Sequence, residues 1–119
     1  MLAAGEIDVA VDELRWLLQG CGTLVEAHKL LGDIALDDGD VELARSHFGR
    51  VYQLGLDALP RGGLRGTLPG TKPANRVFFE AGRKLAECLR RLDNPDLAEE
   101  VLATLQKLDP LGLRPEPGQ

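Results

Sequence analysis

The residues of this chain that could carry catalytic or metal chemistry are few and lie far apart in the sequence. The two histidines, His28 and His47, fall on different predicted helices, where a histidine among acidic residues is ordinarily a surface or half-buried side chain. The two cysteines, Cys21 and Cys88, match no metal-binding or redox spacing, which favours their use as small buried hydrophobic residues. The sequence therefore predicts no catalytic group, no metal site and no cofactor.

A glycine-rich segment offers one more candidate for chemistry, a phosphate-binding loop. Between Gly66 and Lys72, however, glycine and lysine are not adjacent and no predicted strand precedes them, so we reject that interpretation. The segment belongs to residues 60–73, whose four glycines and three prolines exclude a regular element. We interpret 60–73 as an insertion: a linker that lets the following helices reposition is favoured, and a ligand-binding loop is the alternative.

Charge and composition narrow the classes of function. The 119 residues carry a formal net charge of −5, with no basic stripe and no interleaving of aromatic and basic residues, which argues against nucleic-acid binding. No stretch approaches the roughly 20 apolar residues of a membrane span, and the first residues lack the basic start and apolar run of a secretory signal. We therefore expect a cytoplasmic protein that binds neither nucleic acid nor membranes.

Helices must position whatever site the chain has, because apolar residues recur at helical spacing and aromatic residues make up only 4% of the sequence. Gly5 to Leu14 returns as Gly39 to Phe48, an offset of 34 residues that is typical of stacked helix-turn-helix repeats. The expected fold is all-α, with about five helices. They are predicted from Gly5 to about Gln19, Thr23 to about Leu36, Val41 to about Ala58, about Ala74 to Leu92, and Pro95 to about Leu108 with Asn94 as its N-cap.

Helical spacing also predicts which side chains form the core. Inward-facing positions are expected at Leu43, Ala44, Phe48, Val51 and Tyr52 on the third predicted helix, and at Phe78, Ala81, Leu85, Cys88 or Leu89, and Leu92 on the fourth. Small residues at Gly32, Ala86, Ala44 and Ala98 indicate close approach of paired helices, with Phe48 or Leu102 filling the space one turn later.

These spacings resemble the tetratricopeptide repeat family, whose pattern runs W-x-x-L-G-x-x-Y, then A-x-x-x-F, then P. One copy spans Val25 to Ala58, a second spans Phe79 to Gly112, and Gly5 to Leu14 matches only the second half of a repeat. The matching residues are His28, Leu31, Gly32, Ala35, Ala44 and Phe48 in one copy and Gly82, Leu85, Ala86, Leu89, Ala98, Leu102 and Pro110 in the other. His28 and Gly82 stand where the family has a large aromatic residue, and Leu56 stands where it has proline.

The resemblance implies a right-handed stack of helical pairs whose concave face, formed by the first helix of each pair, binds a peptide or protein segment. Carried over, the partner-binding residues are Lys29, Asp33, Asp37, Arg83, Lys84, Glu87, Arg90 and Arg91. Asp33 and Glu87 replace the asparagines with which chaperone-binding members hold a C-terminal carboxylate, so that activity is not expected. Arg83 and Lys84 remain available for an acidic ligand, and a solvated charged face is the alternative.

The implied organisation is a half-repeat at 1–22, a helical pair at 23–59, the insertion at 60–73, a second pair at 74–109 and a proline-rich tail at 110–119. We expect a non-catalytic protein-interaction module; the alternative is a structural, self-assembling repeat unit or a fragment of a longer array. Val9 and Trp16, seven residues apart on a face that the family usually leaves polar, are the expected homodimer contact. A tryptophan lying on its own helix is the competing interpretation.

Overall fold

Four α-helices make up the part of the chain that the structure describes. A computed structural model describes residues 22–59 and 73–110. Helix α1 is Gly22–Asp37, α2 is Val41–Asp57, α3 is Pro73–Arg91 and α4 is Pro95–Leu108, and the described ranges contain no strand. The expectation of an all-helical fold is therefore confirmed for these residues. The helix predicted at 5–19, with Val9 and Trp16, and the predicted insertion and tail, except Pro73 and Pro110, lie outside the described residues.

The turns between α1 and α2 and between α3 and α4 have the same backbone conformation. Gly39 has a φ of 81° in the first turn, and Asp93, 54 positions later, has a φ of 65°. Glycine is the natural residue for this left-handed conformation, and aspartate is one of the few others that tolerate it. The closing hydrogen bonds also recur: Asp40 N–H donates to the Ala35 carbonyl at 2.9 Å, and Asn94 N–H donates to the Leu89 carbonyl at 2.8 Å.

Each described helix packs chiefly against the next one in the chain, α1 on α2, α2 on α3 and α3 on α4. The buried residues of these helices form one continuous core. On α2 the buried stripe recurs at helical spacing, and on α4 it begins at Ala98, which is fully buried as expected. The stripe residues are Ala44, Phe48, Val51 and Gly55 on α2 and Ala98, Val101 and Leu105 on α4.

Glycines allow large side chains to approach the helix backbones at three places. A Cβ atom built on Gly32 of α1 would lie 2.7 Å from Cε1 of Phe48, so the predicted close packing at Gly32 is present. A Cβ on Gly82 would lie 2.8 Å from Cδ1 of Leu105, and a Cβ on Gly55 would overlap the Phe78 ring. The large side chain that the family pattern expects at position 82 is thus excluded because Leu105 occupies that space.

One local prediction was wrong, and one was confirmed without the hydrogen bond that usually accompanies it. Leu43 was expected in the core, but its side chain is 46% exposed, because it precedes the stripe that begins at Ala44 and points about 100° away from it. Asn94 occupies the N-cap position of α4 but makes no side-chain capping hydrogen bond, and Pro95 supplies the first turn instead. At α2 the N-cap side chain does make its hydrogen bond: Asp40 Oδ1 accepts from Leu43 N–H at 3.1 Å.

Candidate functional site

A network of charged side chains joins α1 to α3. Lys29 Nζ lies 3.4 Å from Glu80 Oε1 and 3.5 Å from Asp33 Oδ2, and Lys84 Nζ donates to Asp33 Oδ1 at 2.5 Å. The two pairs that cross between the helices both join positions 51 apart, so α1 and α3 run in the same direction here. Helical spacing places Asp37, Arg83, Glu87 and Arg91 on the same side, and we call this whole surface the α1–α3 face.

The network lowers the pKa of Asp33. Partial burial alone would raise the pKa of this carboxyl group, but the hydrogen bonds and charges of Lys84 and Lys29 outweigh that effect and hold it below its usual value. Lys84 Nζ also lies 5.6 Å from the centre of the Phe48 ring, so the ammonium group sits above the core residue that fills the space at Gly32. Asp33 and Lys84 therefore help to hold α1 and α3 together.

The other predicted partner-binding residues divide into two groups. Arg90 Nη2 pairs with Glu99 Oε2 of α4 at 2.9 Å, which turns Arg90 away from α1, and Arg91 pairs with Glu87 one turn earlier on α3. Arg83 and Asp37 are exposed and make no ion pair within the described ranges. The structure thus places most of the predicted residues on one face. Within that face Lys29 and Lys84 are both paired with Asp33.

The two histidines, for which the sequence predicted no role, contact each other between α1 and α2. His28 Nδ1 and His47 Nδ1 are 3.0 Å apart, and their ring centres are 5.3 Å apart. The distance between the ring centres exceeds the distance between the nitrogens by about two ring radii, so both nitrogens lie on the line that joins the rings. This is the geometry of an N–H···N hydrogen bond, in which one of the two nitrogens is unprotonated. Burial, then the charges of His47 and Arg50, lower the pKa of His28.

A groove of about 350 Å³ opens between α2 and α4, over α3. Its floor is apolar, from Leu85, Leu89 and Val101, and Gly49 leaves it open because glycine has no side chain. Arg45, Ser46, Tyr52, Gln53 and Leu97 complete the lining. Tyr52 is held in place by stacking on Phe78 with ring centres 5.5 Å apart, and burial raises the pKa of its hydroxyl group.

Metal ligands, a reactive thiol or a membrane span would each indicate another kind of site in the described residues. Among them, no three histidine, cysteine, aspartate or glutamate residues come together as a metal-binding group. Cys88 is fully buried, and burial raises the pKa of its thiol group, as expected of a packing residue. None of the four described helices combines the length and the apolar composition needed to cross a membrane.

Comparison with known proteins identifies no relative. A scan against models of protein families, a search of curated proteins and a search of solved structures each found no match.

Proposed function

We propose that this chain is a non-catalytic protein-interaction module that binds a peptide or protein segment on the α1–α3 face. The observation that carries the proposal is the pairing of Lys29 with Glu80 and of Lys84 with Asp33. Both helices pack on α2, and the ion pairs bridge them where they lie side by side, so that their charged side chains form one surface on which an extended segment can lie. In this proposal the helical pairs are stacked as in tetratricopeptide repeats.

The ion pairs of the α1–α3 face do not prevent ligand binding. Ion pairs between partly exposed side chains contribute only about 0–1 kcal/mol each, because water screens the charges and both side chains lose conformational freedom. A carboxylate or ammonium group of a ligand can therefore replace one partner at little cost. Arg83 and Asp37, which are exposed, are the proposed first contacts for ligand groups of opposite charge.

The proposal is tested by selecting binders from a displayed library of random peptides. Selection on the wild-type protein is followed by measuring each enriched peptide against a variant with Arg83→Glu and Arg91→Glu. These two residues make no interhelical ion pair within the described ranges, unlike Lys84 and Arg90, so the reversal should leave the packing of the helices intact. Arg91→Glu replaces the ion pair with Glu87 by a like-charge contact, which should cost only about 0.2–0.5 kcal/mol. We expect the enriched peptides to lose at least about tenfold in affinity, and wild-type binding to weaken as salt is added.

The matched control is the variant with Arg45→Glu and Arg50→Glu, which reverses two exposed charges on α2. It should bind the enriched peptides as the wild type does. The proposed site would be contradicted if the Arg83/Arg91 variant bound the enriched peptides as well as the Arg45/Arg50 variant does. It would also be contradicted if only the Arg45/Arg50 variant lost binding. In the second case the groove between α2 and α4 would be the binding surface.

The alternative is a structural unit that assembles with copies of itself. The large apolar side chains exposed on α1, which include Leu30 at 60%, favour this alternative, since such groups commonly mark a contact surface. Self-association through Val9 and Trp16 would appear in light scattering as a dimer that Trp16→Glu converts to a monomer. A monomer at high protein concentration, with Trp16 emission typical of exposure to water, would remove this alternative.

A further inference from the structure

An exposed apolar row runs along α1, formed by Leu24, Ala27, Leu31 and Ile34. The three large side chains are 42%, 45% and 48% exposed, and Ala27 is exposed as well. The row lies on another side of α1 from Lys29 and Asp33. So many adjacent apolar residues on one helix are unusual for a surface in contact with water.

The same four positions are buried on α3. The copies that begin at Val25 and Phe79 are offset by 54 residues, and adding this offset to the row gives Phe78, Ala81, Leu85 and Cys88. On α3 these residues are 0%, 0%, 7% and 0% exposed. The two hairpins share their turn geometry at the same offset, so the positions are structurally equivalent. The difference between them therefore lies in what covers each helix.

Helix α2, which precedes α3 in the chain, covers the row on α3. The Tyr52 ring stacks on Phe78, Gly55 lies against Phe78, and a Cβ atom on Gly49 would meet Leu85 Cδ1 at 3.8 Å. The segment that precedes α1 is related to α2 by the offset of 34 residues, and it repeats the pattern of α2 from Gly5 to Leu14. Two residues, Gly20 and Cys21, separate the predicted helix at 5–19 from Gly22, a length that is sufficient for the loop of an antiparallel helical hairpin.

We infer that residues 5–19 form a helix that docks on the apolar row of α1, as α2 docks on α3. Subtracting 34 from the contacting positions of α2 places Arg15 over Leu31 and Leu18 over Leu24, while Gly55 corresponds to Cys21, between the proposed helix and α1. Trp16 then corresponds to Arg50, and Val9 corresponds to Leu43, both of which are exposed on α2. The docked helix thus covers the row with Leu18, directs Val9 and Trp16 outward, and leaves the α1–α3 face open.

Disulfide trapping in the full chain tests this arrangement. The test protein carries Cys21→Ser together with Arg15→Cys and Leu31→Cys, while the fully buried Cys88 is kept. The control pairs Trp16→Cys with Leu31→Cys, since position 16 should face away. In a glutathione buffer we expect an intrachain disulfide to form in the first protein, at least about tenfold more than in the control, with the products identified by mass spectrometry.

Hydrogen exchange gives a second readout that needs no disulfide. An isolated helix of this length is marginal in water, so the amides of residues 5–19 should be protected only if the helix docks. Leu31→Arg should speed their exchange at least about tenfold, whereas Leu43→Arg, at a site with nearly the same exposure, should not. Amides of α3 and α4 report whether each variant remains folded.

Three outcomes overturn the inference. The first is unprotected exchange of residues 5–19 in the wild type. The second is a disulfide that forms between chains rather than within one, which would identify a second copy as the occupant of the row. The third is equal trapping of the Arg15→Cys and Trp16→Cys proteins, which would mean that the segment has no fixed orientation on α1.

Discussion

The contact between Gly32 and Phe48 predicts that two chemically identical substitutions change stability in opposite directions. Gly32 and Gly49 both lie inside helices, and replacing either with alanine improves helix propensity by about 0.5–1 kcal/mol. At Gly49 the new Cβ atom meets only Leu85 Cδ1 at 3.8 Å, an ordinary contact. Gly49→Ala should therefore stabilise the protein by about that amount.

At Gly32 the new Cβ atom would lie 2.7–2.9 Å from three atoms of the Phe48 ring. The nearest ring atom must move by about 0.7 Å to restore ordinary contact, and Phe48 is fully buried, so its neighbours must move as well. Overpacking of this kind costs about 1–3 kcal/mol. Because the propensity gain is common to both variants, Gly32→Ala should be less stable than Gly49→Ala by about that overpacking cost.

The assay is urea unfolding followed by far-ultraviolet circular dichroism, with equal slopes required before midpoints are compared. Phe48→Leu provides the internal control: in that background the ring is absent, and the penalty of Gly32→Ala should shrink toward zero. If Gly32→Ala is as stable as Gly49→Ala, the close approach of α1 and α2 at Phe48 is refuted.

Three further predictions use the same unfolding assay. Ala44→Leu should cost about 1–3 kcal/mol through overpacking at the close crossing of α1 and α2, and a cost within about 0.5 kcal/mol would refute that packing. Asp40→Ala should cost about 1 kcal/mol because it removes the cap of α2, whereas Asn94→Ala, which removes no capping hydrogen bond, should cost less than about 0.5 kcal/mol; equal losses would contradict the difference in capping. The pKa of His28 is lower in the folded state, so the unfolded chain binds more protons near that pKa. The free energy of unfolding should therefore fall as pH decreases from about 7.5 through about 6.5 to 5.5. A pH dependence that is unchanged by His47→Gln would contradict the role of the histidine pair.

Local patterns were enough to predict the helices. Breakers mark the helix ends as expected: the glycine at position 39 precedes α2, and α4 begins at the Asn94-Pro95 step. Small residues paired with a large one, such as Gly32 with Phe48, correctly identified where helices approach closely. The helix ends depend on residues within one or two turns of each other, and Gly32 and Phe48 belong to neighbouring helices joined by a short turn, so spacing along the sequence locates both features.

Contacts between distant helices were harder to predict. Asp33 and Lys84 were expected to bind a ligand, yet they bind each other, because parallel packing of α1 and α3 brings positions 51 apart into contact. The sequence did contain a signal for this contact, because the predicted binding residues of α1 include the acidic Asp33 and Asp37 and those of α3 include the basic Arg83 and Lys84. The His28–His47 contact had no such signal, because it depends on the rotation of α1 relative to α2.

The most direct test of the proposed function is a nuclear magnetic resonance titration of the isotope-labelled protein with a peptide selected on the wild type. Saturable amide shifts are expected on the α1–α3 face, centred on Asp37, Arg83 and Arg91, with little change on the exposed side of α2. Shifts confined to the groove between α2 and α4, or the absence of any saturable shift, would contradict the account.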